Sequence, residues 1–430
     1  MQKYSTLPIG EKLRQIRNSK NLSLENVARA VDTSVSTISR IELGQLECGM
    51  EMLAAIKGYM GVSKAPLFNH ELKVCEDQLW AIFEFVNANR VSDARDIQKD
   101  MFQIWELPFE RDLYLFHNMI EVRLLFIEGN SVAAEKLFDD SEVLLEDAST
   151  ENLNLYYRLR GSFAFTRGEL KTAKKYYLQT LELQCDAFKS DGMLHYNLGL
   201  LYTHLVQPFH AIKHLEMSMA EIKGDRIHDL GPDLTATLAV NYRLVGELDK
   251  AKKLLVEALT LAKSMNYVRS TGISLSHLAA ISMKQRNYED CLALCNEALM
   301  LSLENVDSKV YFAILDRKAS CLLEMGQITQ CREVLAQAKI LAEKEDNKDM
   351  FILHDAIKHR ITIKDSDSSN YIENIVIPHL LSSESGKAHI ALEYCEILEA
   401  HYKKKGSQKK AMAIAVVARD IYKEMMFGSP

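Results

Sequence analysis

Cys291 and Cys295 stand four residues apart, as do His210 and His214, a spacing that puts two side chains on one helix face. Such pairs could hold a metal or a redox couple, but neither is completed. No third ligand lies near His210 and His214, and His354 and His359 are five apart and off a shared face. The eight cysteines include no CxxC. A Gly-rich phosphate loop, an HExxH and a GxSxG are likewise missing from the sequence. The expectation is therefore no catalytic residue, no metal, no cofactor and no enzyme. The cysteines are expected as core residues in a reducing compartment. What remains is recognition chemistry, carried by arginines and amides. A guanidinium can pair with guanine O6 and N7 or with a carboxylate, and an Asn amide can donate to and accept from a peptide backbone at once.

Charge separates the chain into two parts. Residues 1–70 hold nine Lys/Arg and six Asp/Glu, a net of +3, whereas the rest holds 43 basic and 53 acidic residues, a net of −10. A basic head on an acidic body fits a small nucleic-acid-binding module joined to something that avoids nucleic acid. Hydrophobic content of 47% and charge of 26% are ordinary for a soluble protein. No run of 18 apolar residues exists and the first residues, MQKYSTLPIG, lack an apolar signal core, so no membrane contact and a cytoplasmic location are expected.

The head reads as four or five short helices. Ile9, Leu13 and Ile16 make a stripe for the first, and Ser23 caps a second that turns Val27 and Ala28 inward. A tight turn at Asp32 and Thr33 precedes a third, capped by Ser34, carrying Ile38 and Ile41 and ended by Gly44. Two short helices across a tight turn, the second with a polar outer face, make a helix-turn-helix. The string LSLENVARAVDTSVSTISRIELG closely resembles the Cro/repressor-type (XRE) family over about 60 residues. The family's usual Gln is Leu24 here, and its usual turn Gly is Asp32, a residue that tolerates a left-handed backbone. The resemblance implies that Ser34–Leu43 is the recognition helix. Val35, Ser36 and Arg40 would then face base edges, with Thr37 and Ser39 nearer the backbone and Ser34 completing the DNA-binding set. Arg14, Arg17 and Lys20 would meet phosphates.

The remainder is periodic. Ala94, Ala134, Ala173, Ala211, Ala251, Cys291, Cys331 and Ala411 recur about every forty residues, with Tyr371 filling the one missing slot as a poor copy. A fixed period of this size marks a solenoid of stacked units, each unable to bury its apolar face alone. Each unit reads as two amphipathic helices around a polar turn, with Gly129, Gly168, Gly246, Gly326 and Gly406 ending first helices. Gly161 marks a close crossing. About nine units fit between Val74 and Phe427, the first and eighth being the weakest.

This pattern resembles tetratricopeptide (TPR) repeats, with units about six residues longer than the usual 34. The resemblance implies an all-α chain: a Cro/repressor-type helix-turn-helix at 1–68, a linker at 69–74 and a right-handed TPR-like α-solenoid at 75–430. Its groove would be lined by first-helix residues. The peptide-binding set implied by the register is Arg158, Tyr196, Asn197, Arg243, His277 and Asp316, with Asn241 as a second backbone clamp beside Asn197.

An XRE-type head followed by long-period TPRs resembles the RRNPP family of Gram-positive bacteria, its NprR-like branch above all. That resemblance implies a cytoplasmic quorum-sensing regulator. It would bind a two-fold site on double-stranded DNA as a homodimer or higher oligomer and would respond to a short signalling peptide. A rival reading is a TPR scaffold, or a regulator that binds a response-regulator protein through Gln78, Gln98 or Gln103.

Overall fold

The computed structural model describes residues 8–106, 110–146, 148–183, 192–222, 225–301, 307–363, 366–382 and 387–427, with side chains 225–229 excepted. All regular structure among the described residues is helical. The head comprises α1 (Ile9–Ser19), α2 (Leu24–Ala30), α3 (Val35–Glu42) and α4 (Met50–Tyr59). Leu13, Ile16, Val27, Ala28, Ile38, Ile41, Leu53 and Ile56 close into one core. The two expected caps form: Ser23 Oγ accepts the Asn26 N–H at 3.1 Å and Ser34 Oγ accepts the Thr37 N–H at 3.0 Å. Asp32 holds the turn at φ +51°. α1 meets α3 at Gly10, where a Cβ would lie 1.9 Å from the Ile41 carbonyl oxygen. Only a glycine lets the two backbones come so close.

Nine helix pairs follow among the described residues. They are α5 (Asn69–Asn87) with α6 (Val91–Ile104), α7 (Arg111–Ile127) with α8 (Ser131–Ser141), and α9 (Thr150–Thr166) with α10 (Leu170–Glu182). Next come α11 (Gly192–His204) with α12 (Pro208–Glu221), α13 (Asp225–Leu244) with α14 (Leu248–Ser264), and α15 (Val268–Lys284) with α16 (Tyr288–Leu299). α17 (Ser308–Glu324) pairs with α18 (Ile328–Lys344). α19 (Lys348–Ile361) pairs with a broken helix: α20 (Ser366–Tyr371), a π turn at Ile372–Val376 and α21 (Ile377–Ser382). α22 (Ala388–Lys404) and α23 (Gln408–Phe427) close the series. Residues 69–74, expected as a linker, are instead the first turns of α5. The Glu71 carboxylate accepts the Leu67 and Phe68 N–H groups at 2.8 and 3.0 Å, so helix α5 starts directly against the end of the head.

The small-residue slots are all buried, from Ala94 to Ala411. The five first-helix glycines adopt left-handed φ values between +73° and +92°. Gly161 sits at a crossing so close that a Cβ would meet the Tyr177 ring at 2.6 Å. Tyr371 breaks the pattern as its size requires. Its ring stays half-buried, stacks on His359 at 4.2 Å, and is followed at once by the π turn.

The chain divides into two compact units, residues 1–160 with 178–188 and residues 161–177 with 189–430. The head therefore shares a unit with the first helix pairs. Within the second unit the first helices α11, α13, α15, α17 and α19 touch one another in succession, while the second helices pack mainly on their own and the next first helix. First helices thus form an inner layer. Among the described residues no helix is long and apolar enough to cross a membrane.

Candidate functional sites

The head presents one open face. Ser34, Val35, Ser36 and Arg40 are exposed on α3, with Thr37 and Ser39 half-buried behind them. The reason is the helical period. Ile38 and Ile41 point into the core, which turns residues 36 and 40, one turn apart, toward solvent. Among the described residues Arg40 has no ion-pair partner, so its guanidinium is available to a ligand. Ser34 and Thr37 are already committed to the cap, their side-chain oxygens 2.8 Å apart. Lys20 is exposed, and among the described residues Arg14 pairs only with Glu11 one turn away, at 2.7 Å.

Arg17, expected at a phosphate, is engaged within the head. Its guanidinium forks onto Glu42 at 2.7 and 2.8 Å and donates to the Leu22 carbonyl at 2.9 Å. The two side chains keep only 12% and 6% of their surface exposed. The Glu42 carboxylate holds the Arg17 guanidinium charged, above its ordinary value. A buried bidentate pair of this kind ties α1 to α3 and, with the Leu22 bond, engages three of the five guanidinium N–H groups inside the head.

The expected groove residues fall into two clusters and one outlier. Asn197 and Asn241 lie on the inner helices α11 and α13. Asn241 is fully buried and its Nδ2 donates to Thr203 Oγ1 at 2.7 Å and to the Thr237 carbonyl at 2.9 Å. Its Oδ1 is buried with no hydrogen-bond partner. Asn197 is half-buried, and its Nδ2 reaches Ser162 Oγ at 3.5 Å, a weak bond. Tyr196 is nearly buried. Burial, then the nearby Asp233 carboxylate, push its hydroxyl above the usual range.

The second cluster gathers Arg243 on α13, His277 on α15 and Asp316 on α17. Burial, then the Arg317 charge, lower Arg243 to about 10, against a partial offset from Glu393. Burial keeps His277 neutral, well below its ordinary value, helped by the charges of Arg243, Arg317 and His389. Burial raises the Asp316 carboxyl to about 6 although Arg317 and Arg360 oppose it. Groups on α22 thus act on groups on α13, α15 and α17, so these helices bring their charged groups within electrostatic reach of one another. Arg158, the outlier, is half-buried on α9 in the first unit.

Four residues of this cluster went unread in the sequence: Arg317, His389, Glu393 and Tyr394. Arg317 had a signal, for it lies one period of 40 after His277. The same period places Arg360 against Ser320, to which it donates at 3.2 Å, and brings Asn241 to Thr203, 38 residues back. Side chains one repeat apart meet because successive inner helices touch. The rival assignment finds Gln98 occupied: it accepts from Arg95 at 2.7 Å and donates to Glu121 at 2.9 Å. Gln103 is exposed, and Gln78 is half-buried with its Oε1 buried and without a hydrogen-bond partner.

Comparison with known proteins agrees with this layout. A helix-turn-helix family model matches residues 13–67. The transcriptional activator NprA of Geobacillus stearothermophilus is 19% identical over 413 residues, covering 91% of this chain and 98% of that protein. Among solved structures, the apo form of the quorum sensor NprR from B. thuringiensis superposes with a TM-score of 0.64 at 16% identity, over 82% of this chain and 99% of that one. NprR in complex with its cognate peptide NprX gives a TM-score of 0.62 at 17% identity, over 80% of this chain and 99% of that one. A Rap protein complexed with competence and sporulation factor gives 0.66 at 13% identity, over 82% and 99%. This chain is all-α, with a helix-turn-helix head and a TPR-like array, and over about four-fifths of its length it shares its fold with these solved structures.

Proposed function

We propose that this chain, which has the build of an RRNPP-type regulator, is a peptide-responsive transcriptional regulator. Residues 1–68 read DNA, and residues 75–430 bind a short peptide and mediate self-association. The observation that carries this reading is the coexistence of two unspent surfaces in one chain. α3 offers Val35, Ser36 and Arg40 to a major groove, and the inner helices hold buried polar atoms without hydrogen-bond partners, the Asn241 and Asp316 Oδ1 and the Arg243 and Arg317 Nε. Asn197, half-buried with one weak internal bond, is suited to clamp the ligand's backbone, since an amide face matches a peptide unit, whereas Asn241 is fully buried with its Nδ2 spent on Thr203 and Thr237 and supports that site from behind. The peptide shifts a population: an array closed on peptide differs in curvature or self-association from an empty one. Because a two-fold operator is read at fixed half-site spacing, moving two heads apart changes affinity steeply.

Selection of genomic DNA fragments by the purified protein, with and without a pool of candidate peptides, tests this directly. A palindromic site whose enrichment changes with peptide is the expected result. Sequence-independent or absent DNA binding in both arms would move the function to a protein partner such as a response regulator, with the head as a docking module.

A further inference from the structure

Arg243 and Arg317 stand in the inner layer of the second unit, on α13 and α17, with His277 of the intervening α15 sensing both charges. Arg243 is only 8% exposed. The Nε atoms of both arginines are buried and have no hydrogen-bond partner. Among the described residues neither guanidinium forms an ion pair, whereas their neighbour Arg360 is spent on Glu324 at 2.6 Å. One buried and one half-buried like charge, each with a buried unpartnered Nε and no counter-ion among the described residues, are an unusual arrangement, because a protein interior ordinarily pairs or neutralises such groups. The two acids within electrostatic reach do not resolve it. Asp316 keeps its own Oδ1 buried and unpartnered, and Glu393 acts on Arg243 without bonding to it.

We infer that Arg243 and Arg317 form a carboxylate-binding subsite in the groove, selecting peptides that bring one negative charge to it. A carboxylate fits one guanidinium fork in the bidentate manner and keeps lone pairs for a second guanidinium nearby. The nearby acids set the limit: Asp316 and Glu393 would repel a phosphate dianion but tolerate a single charge. Their free oxygens also suit the N–H groups of the same ligand, which a peptide carries beside its carboxylate. His277, held neutral, adds no further charge. The carboxylate has two sources, an Asp or Glu side chain or the free C-terminus. This inference rests on the peptide-binding reading above and adds the ligand's chemical class.

The experiment is affinity selection from a random pentapeptide pool by the full chain, read by mass spectrometry. The pool is made once with free C-termini and once with C-terminal amides. Enrichment of Asp or Glu at one position among the amides assigns the subsite to a side chain; capture of free acids alone assigns it to the terminus. Either supports the subsite, provided Arg317→Gln lowers affinity for the captured peptide at least tenfold while the thermal melt stays that of the parent. Arg243→Lys, which keeps the charge but not the fork, is expected to weaken binding by less than Arg243→Gln. Capture of neutral amides as strongly as acidic peptides would overturn the subsite and leave peptide binding standing. Capture of no peptide in either pool would overturn both.

Discussion

Arg40 and Arg17 sit on the same small head and have opposite work. Among the described residues Arg40 has no partner on the open face of α3, and Arg17 is locked on Glu42. Arg40→Ala is expected to lower specific operator affinity by 10- to 100-fold, about 1–3 kcal/mol, with little change in the melting temperature. Arg17→Ala is expected to do the reverse at the level of cause. It leaves Glu42 buried without a counter-ion and destabilises the head by about 3 kcal/mol in urea unfolding. Asp316 gives a pH signature. Burial raises its carboxyl from 3.8 to about 6, so the folded state binds a proton that the unfolded state has already released. Stability from this group is full below pH 3.8 and falls as pH rises through 6. Asp316→Asn is expected to flatten that limb and to gain on the order of 2 kcal/mol over the parent at pH 7, measured by denaturant unfolding across pH.

The elements were the most legible part of the sequence, for a plain physical reason. A slot where two helices touch admits only a small side chain, so Ala and Cys at a period of forty report the stacking directly. Tyr371 at that slot was readable as a fault, and a π turn follows it. Ser23, Ser34, Asp32 and Gly44 announced the head because caps and left-handed turns restrict residue type. What stayed hidden depends on three-dimensional proximity between distant residues. Arg17 looks like a surface arginine until Glu42, 25 residues on, is placed beside it. Arg317, His389 and Glu393 join the groove only when α17 and α22 face the same space. The α5 start was missed because a capping carboxylate at Glu71 makes one helix abut another without a linker. Gly10 is the matching test at this scale. Gly10→Ala adds a methyl against the Ile41 backbone, which no rotamer relieves, and is expected to destabilise the head by about 2 kcal/mol and to blunt DNA binding by displacing α3. A thermal melt unchanged from the parent would show that α1 and α3 pack differently.

At the scale of the whole molecule, the account joins a reading helix to a receptor array through self-association. The inner layer of the second unit holds more polar groups than it satisfies by itself, and the head holds a helix face with nothing of its own to bind. A ligand that completes the first can alter the second only through the geometry of the array and its copies. The most direct measurement is operator affinity, by fluorescence anisotropy at one fixed salt concentration, with and without a captured peptide, for the parent and for Asn197→Ala. Asn197 makes only one weak internal bond, so its removal leaves the fold in place. The account requires peptide to change the parent's operator affinity at least tenfold, and Asn197→Ala to keep the peptide-free affinity while losing the response. A peptide that binds the groove yet leaves operator affinity and oligomeric state unchanged would contradict it.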